Sequence, residues 1–333
     1  VTDARRDLAR LPKAELHLHL EGSMRPGTLA ELADAAGIPV PEIRGYGNFT
    51  AFAGTYLAAC EVIRGYDDVL RLVREVAQDR QAAGAVWIEP SFYLPLHEGR
   101  LGDPPEVLAM LLTAADAVSR DLGIGIGLMP AGDRTVDPVV AVAQAELAAA
   151  HAGRGVVGFG LSNDEAVGRL EPFADAFAVA RDAGLLCTPH AGELAGADQV
   201  AFALDELQVD RIEHGVRAIE DPALVARLAD AGTCLDVCLT SNVMLSVVDD
   251  IADHPLPQLL AAGVRCSINT DDSLLFGPGL LAEYELARDT FGLDDAALAA
   301  IARTSIEASG APEGLKRDAL AGVGAWLATP PAA

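Results

Sequence analysis

Short runs rich in β-branched and other apolar residues alternate along the chain with longer Ala/Leu-rich stretches whose apolar positions recur at helical spacing. Eight runs read as strands: residues 15–20, 86–90, 124–129, 156–161, 185–189, 211–213, 234–239 and 264–269. Between the later ones lie single helical stretches at 172–182, 198–207, 222–230 and 255–262, each with room for one helix and two short loops. Three of them run into Ala183-Gly184, Ala231-Gly232 and Ala262-Gly263, where glycine takes the left-handed cap position. Repetition of strand, helix and glycine cap predicts an α/β fold, a (β/α)8 TIM-type barrel with its functional residues at the C-terminal ends of the strands. A doubly wound open sheet has a similar rhythm, but the count of eight and the polar residues at several strand ends favour the barrel.

The first connection, residues 21–84, is too long for one crossover. It holds helical patterns at 26–36, 50–59 and 66–82, a loop around 39–47, and the aromatics Tyr46, Phe49, Phe52, Tyr56 and Tyr66. It reads as a helical insertion over the C-terminal face that helps cover a pocket and exclude water; packing against the barrel rim is the plainer use of the same aromatics. A helix at 2–10 and the tail after Gly310 are expected to close the bottom or pad the outside. With no linker or low-complexity tract between them, residues 1–333 read as a single barrel domain.

Composition narrows the partners. The 333 residues carry 24 Lys plus Arg against 49 Asp plus Glu, a formal net charge of −25, and no basic run interrupts this balance. Such a surface repels a phosphate backbone and an anionic membrane face, so the expected partner is a small, nearly neutral molecule rather than a nucleic-acid polymer or a bilayer. The five cysteines (Cys60, Cys187, Cys234, Cys238, Cys266) are odd in number and far apart, and four fall in buried-strand runs, which suits a reducing compartment. The N-terminal segment has no apolar stretch long enough for a signal peptide, and no window reaches 18 uninterrupted apolar residues, so a cytoplasmic protein is expected. Oligomeric state is not encoded in any pattern we read.

Ionisable residues stand at the exits of the apolar strands. His17 and His19 are two apart in ELHLHLEG, so in a strand of period two both face one side and can share a metal ion. His190 closes the fifth strand run, His214 the sixth, and Asp271-Asp272 the eighth. Three imidazoles and a carboxylate suit one Zn²⁺ with a position left for water, a role that His17, His19, His190 and Asp271 fit. His214 is then free to act as a base toward the water. Glu193, three residues after His190, can face the same cavity and hand a proton to a ring nitrogen, while Asp272 can hydrogen-bond the other edge of a heterocycle. His97, His151 and His254 sit in loop or helix-end contexts and read as solvated or structural.

LPKAELHLHLEGS, PHAGE, RIEHG, CLTSNVML and SINTDD, in this order over residues 11–310, resemble the signatures of the adenosine and adenine deaminase family of metal-dependent amidohydrolase-like barrels. The resemblance implies zinc held by His17, His19, His190 and Asp271, protonation of purine N1 by Glu193, activation of the water by His214, and a bond from Asp272 to N7. The implied reaction is hydrolytic removal of a 6-amino group as ammonia. Two positions depart from the adenosine-specific pattern. Glu21 stands where an aspartate would meet the ribose 5′-hydroxyl, and Asn163, in Ser162-Asn163-Asp164-Glu165, stands where a glycine backbone would face N3. Both, with Gly160 just before that stretch, are therefore candidate substrate-binding residues. Glu213 replaces a usual glycine and Ser273 a usual proline.

The leading expectation is deamination of an adenosine-type nucleoside, with Glu21 contacting a sugar hydroxyl. The alternatives are adenine deamination, with Glu21 filling the sugar space, or a modified adenosine such as an N6-substituted adenine or aminodeoxyfutalosine. A non-catalytic binding protein would be expected to lose a ligand or the acid. A two-metal hydrolase of the same barrel class would need a carboxylated lysine, and no Lys occurs between Leu122 and Glu193.

Overall fold

The computed structural model describes residues 5–40, 42, 43, 46 and 49–330. Residues 2–4 of the expected N-terminal helix and part of the loop around 39–47 lie outside them. The strands are β1 (Lys13–His19), β2 (Ala85–Phe92), β3 (Gly125–Ile126), β4 (Met129–Asp133), β5 (Gly158–Ser162), β6 (Leu186–Ala191), β7 (Arg211–His214), β8 (Cys234–Val237) and β9 (Arg265–Ile268). All pairings are parallel, in the order β1-β2-β4-β5-β6-β7-β8-β9, with β3 also on β2. A bridge from Leu18 to Asp271 closes the circle, through His19 N–H to Asp271 O at 3.0 Å and Asp271 N–H to His17 O at 3.1 Å. The result is a (β/α)8-type barrel with helices between strands, as the pattern predicts.

Two expectations need correction. The third strand, expected as unbroken at 124–129, is split into β3 and β4, and the continuation runs to Asp133. The Trp87 ring explains the break: a Cβ on Gly125 or Gly127 would fall 2.3 Å or 2.5 Å from it, so the backbone there skirts the indole. In place of a helix at 2–10, the described part of that segment holds a single 3-10 turn, Leu8–Arg10, capped by the Asp7 carboxylate. The three expected glycine caps have φ of 75° (Gly184), 70° (Gly232) and 86° (Gly263).

After β1 come the insertion helices Pro26–Ala36, Phe49–Cys60 and Tyr66–Ala82. The last lies against the barrel wall, where buried Arg80 is ion-paired with Glu15 of β1 and bonded to Thr270. The middle one carries Phe49, Phe52 and Tyr56 over the C-terminal mouth. Phe52 stacks on Phe276 at 5.2 Å and meets Tyr46 edge-on, so the insertion is seated by aromatic packing. No described helix is long and apolar enough to cross a membrane.

Candidate metal centre and substrate cavity

β1 delivers two histidines to the barrel interior by way of a bulge. Ala14 and Leu16 pack inside with Trp87 and Ala311, while the register slips between Glu15 and Leu18. Leu16 N–H and His17 N–H both donate to the side-chain oxygen of Asn269, at 2.8 and 3.3 Å, two residues facing one partner. Beyond the slip, His17 and His19 reach the mouth with ring centroids 5.7 Å apart. His190 at the end of β6 and His214 at the end of β7 join them, 4.8 and 4.6 Å from the His17 ring. Asp271 follows β9, with Oδ1 at 3.2 Å from His19 Nε2 and 3.5 Å from His17 Nε2. His214 and Asp271 have φ of 63° and 59°, a left-handed conformation rare outside glycine that re-aims a side chain at a strand end.

Ligand atoms of His17, His190, His214 and Asp271 lie within 4.8 Å of one another, and those of His19, Asp271 and Asp272 form an overlapping group. Asp271 Oδ1 and His17 Nε2 are buried without a hydrogen-bond partner, which a cation would supply. His17 Nδ1 faces the Asp236 carbonyl at 3.1 Å and donates to it, leaving Nε2 bare for a metal. Glu213 Oε2 stands 2.6 Å from His190 Nδ1, a close approach without hydrogen-bond geometry. The residues fit a His/His/His/Asp site positioned to chelate one divalent ion. All four sequence-predicted ligands converge there, together with His214.

Charge in this dry setting is strongly redistributed. Burial, then the charges of Asp271 and Glu165, pushes the Glu193 carboxyl well above the ordinary carboxylate range. Burial does the same to Asp272. For Asp271 burial acts upward too, but the neighbouring His17 and His19 imidazoles prevail and hold it well below. His190 and His214 are lowered, above all by burial. Burial thus favours the neutral form of Glu193 and Asp272 beside an Asp271 held toward its charged form, and Glu193 Oε1 and Asp272 Oδ1 are buried and unpaired.

Above these groups is a cavity of about 150 Å³. Phe49, Phe52, Tyr56 and Leu57 of the insertion, Phe92 at the end of β2, Leu96 after it, and Leu245 form its apolar wall. Its polar end is made by His19, His190, Glu193, His214, Asp271 and Asp272. Asn163 lines it with φ 81°, its amide donating to Asp133 Oδ2 at 2.9 Å. Gly160 sits within β5, paired with Ala131 and Thr188, and is not among the lining residues. Nor is Glu21. Against the expectation of a sugar contact, its carboxylate is buried behind the wall, Oε1 2.6 Å from His97 Nε2 and Oε2 accepting from Tyr56 Oη at 3.0 Å.

Sequence reasoning missed several supporting residues. Glu165 accepts the backbone N–H groups of Glu193 and Ala195 at 2.9 and 2.7 Å, fixing the turn that carries the acid. Ser241 donates to Asp271 Oδ2 at 2.7 Å and Asn242 reaches His214; both belong to CLTSNVML, a motif quoted without a role. Of the three histidines read as solvated or structural, His97 and His254 are buried and hydrogen-bonded.

Known proteins resemble this chain in sequence and fold. A putative adenosine/adenine deaminase of Streptomyces coelicolor is 46% identical, the match covering 97% of this chain and 98% of the relative. The crystal structure of adenine deaminase from Arthrobacter aurescens superposes with a TM-score of 0.89 at 30% identity, over 96% of this chain and 99% of that one. An amidohydrolase from Burkhoderia ambifaria with bound Zn does so with a TM-score of 0.84 at 28% identity, over 96% and 91%. The adenosine deaminase family model matches residues 12–326, the span that runs from β1 through every strand-end residue described above. This chain, a metal-dependent aminohydrolase by its strand-end residues, belongs to the adenosine deaminase family.

Proposed function

We propose that this aminohydrolase deaminates free adenine, giving hypoxanthine and ammonia, in preference to the adenosine-type nucleoside that the sequence first suggested. The observation that carries this reading is the engagement of Glu21. The carboxylate occupying the position of a ribose contact is consumed by His97 and Tyr56, and Tyr56 is thereby held against the cavity where a sugar would extend. A nucleoside would have to displace Tyr56 or leave its hydroxyls without partners, which a buried site penalises heavily. Likeness to the Arthrobacter adenine deaminase supports the same choice.

We assign the metal to His17, His19, His190 and Asp271. A divalent cation bound there supplies Lewis acidity, making a nucleophile from water at neutral pH. Glu193, held protonated by burial, donates to ring N1 as the oxygen of water adds at C6. Asp272, protonated for the same reason, donates to N7, and the apolar wall clamps the ring faces and excludes bulk water. In the balanced reaction the oxygen of water becomes the 6-oxo group, while its two protons end on N1 and on the departing ammonia. Residues 1–333 act as one catalytic domain, and the five free, buried cysteines suit a cytoplasmic setting. Ammonia release measured on adenine, adenosine and 2′-deoxyadenosine tests the reading: adenine is expected to be turned over with the highest kcat/KM, and a nucleoside leading the series overturns it.

A further inference from the structure

Behind His214, on the side away from the cavity, a buried hydrogen-bond chain ends on a backbone amide. Leu256 N–H donates to His254 Nδ1 at 3.1 Å, His254 Nε2 lies 3.1 Å from Asn242 Oδ1, and Asn242 Nδ2 lies 3.2 Å from His214 Nδ1. Asn242 and the two rings are almost wholly inaccessible to solvent, so no water can substitute for a mismatched partner. We propose that His254, acting through Asn242, fixes the tautomer of His214 so that this ring presents an Nε2–H to the nucleophilic oxygen and is withheld from the metal.

The direction of the chain follows from its fixed end. A backbone N–H can only donate, so His254 Nδ1 must accept and the proton of this neutral ring is on Nε2. Burial, which lowers the His254 pKa to about 4, keeps the ring neutral. Its Nε2–H requires an acceptor, so Asn242 must turn Oδ1 toward it and its NH2 group toward His214. His214 Nδ1 must then accept, which leaves its proton on Nε2, the atom 3.4 Å from Glu193 Oε1 and 3.8 Å from Asp271 Oδ2.

His17 has the opposite arrangement, with Nδ1 facing a carbonyl and a bare Nε2. Distance alone groups His214 with His17, His190 and Asp271; hydrogen bonding separates them. An Nε2–H cannot ligate, and it cannot take a proton from water at that nitrogen. His214 is thus a hydrogen-bond donor that orients and stabilises the attacking oxygen, in place of the base expected from the sequence. The proton that the water loses passes to Asp271, which is held toward its charged form and whose Oδ2 lies 3.8 Å from His214 Nε2, and from there to the departing ammonia. His254 and Asn242 are positioning residues. The inference rests on the assignment of His214 to the side of the nucleophile, and the tautomer itself is measurable without catalysis.

Long-range ¹H–¹⁵N correlation spectra of histidine-labelled, metal-free protein test it first. His214 and His254 are expected as neutral Nε2–H tautomers; a His214 signal of the Nδ1–H form overturns the proposal. Asn242→Asp places acceptors toward both rings and is expected to flip His214 to the Nδ1–H tautomer, lowering kcat at least about 100-fold on the scale of a misplaced catalytic proton. His254→Gln keeps an N–H where Nε2 was and is expected to retain the His214 tautomer and kcat within about fivefold. His254→Leu loses both the donor and the tautomer preference and is expected to fall at least about tenfold. Unchanged kcat in Asn242→Asp with a flipped tautomer refutes the donor role. Should any of the three variants not fold, the wild-type spectrum still decides the tautomer. A correct tautomer in a protein that turns over no aminopurine refutes the function proposed above while leaving the hydrogen-bond chain standing.

Discussion

At the scale of single residues, this site works by placing identical groups in different surroundings. Asp271 and Asp272 are adjacent in sequence, yet the imidazoles beside Asp271 favour its charged form while burial favours the neutral form of Asp272. Glu193 is the sharper case, a carboxyl that burial pushes well above the ordinary carboxylate range and whose backbone is pinned by Glu165. Glu193→Gln removes the transferable proton with little change of shape. It is expected to retain one equivalent of metal by elemental analysis while kcat falls at least about 100-fold; loss of the metal instead would make Glu193 a ligand or a structural residue. The convergent histidines and Asp271 were legible in the sequence because period-two spacing and strand exits are local signals. The supporting contacts were not. Glu213 meets His190, and Asn242 joins His214 to His254, only after β6, β7 and β8 pair and the following loop folds back.

At the scale of elements, the helix Phe49–Cys60 supplies much of the cavity lining, and the proposed substrate choice rests on it. Its aromatics were legible as a cover, but not the tie from Tyr56 to Glu21 and on to His97 and Arg100, which joins residues up to 79 apart in the chain. Tyr56→Phe removes one hydrogen bond to a charged group and frees Glu21 Oε2. On the scale of about 1.5–3 kcal/mol for such a bond, kcat/KM for adenosine relative to adenine is expected to rise roughly tenfold in steady-state assays. An unchanged ratio would show that this tie does not set substrate choice. The broken third strand was hidden for a related reason. Gly125 and Gly127 look like weak strand residues until Trp87, nearly 40 positions earlier, is known to lie across from them.

At the scale of the whole molecule, a closed barrel gathers many buried ionisable groups, and stability should follow their titration. Glu283, in the helix Leu280–Phe291, receives Thr240 N–H after β8 and is raised by burial from the ordinary 4.5 to about 7. Below pH 4.5 the carboxyl is protonated folded or unfolded and costs nothing. As pH rises to about 7 only the unfolded chain ionises it, so folding stability falls over that window, by about 3 kcal/mol in full. Glu283→Gln is expected to raise the denaturation midpoint at pH 8 and leave it nearly unchanged at pH 4; equal shifts at both values would contradict the assignment. The fold class was legible because strand, helix and glycine cap repeat along the chain. Substrate was harder to read, because the proposed choice rests on which way one buried carboxylate turns. A competition assay addresses that point most directly: adenine and adenosine at equal concentration in one vessel with metal-loaded protein, each followed to its product. The account predicts that adenine is consumed at least about 100-fold faster, the scale on which a site lacking partners for sugar hydroxyls discriminates; consumption of adenosine at an equal or greater rate would contradict it.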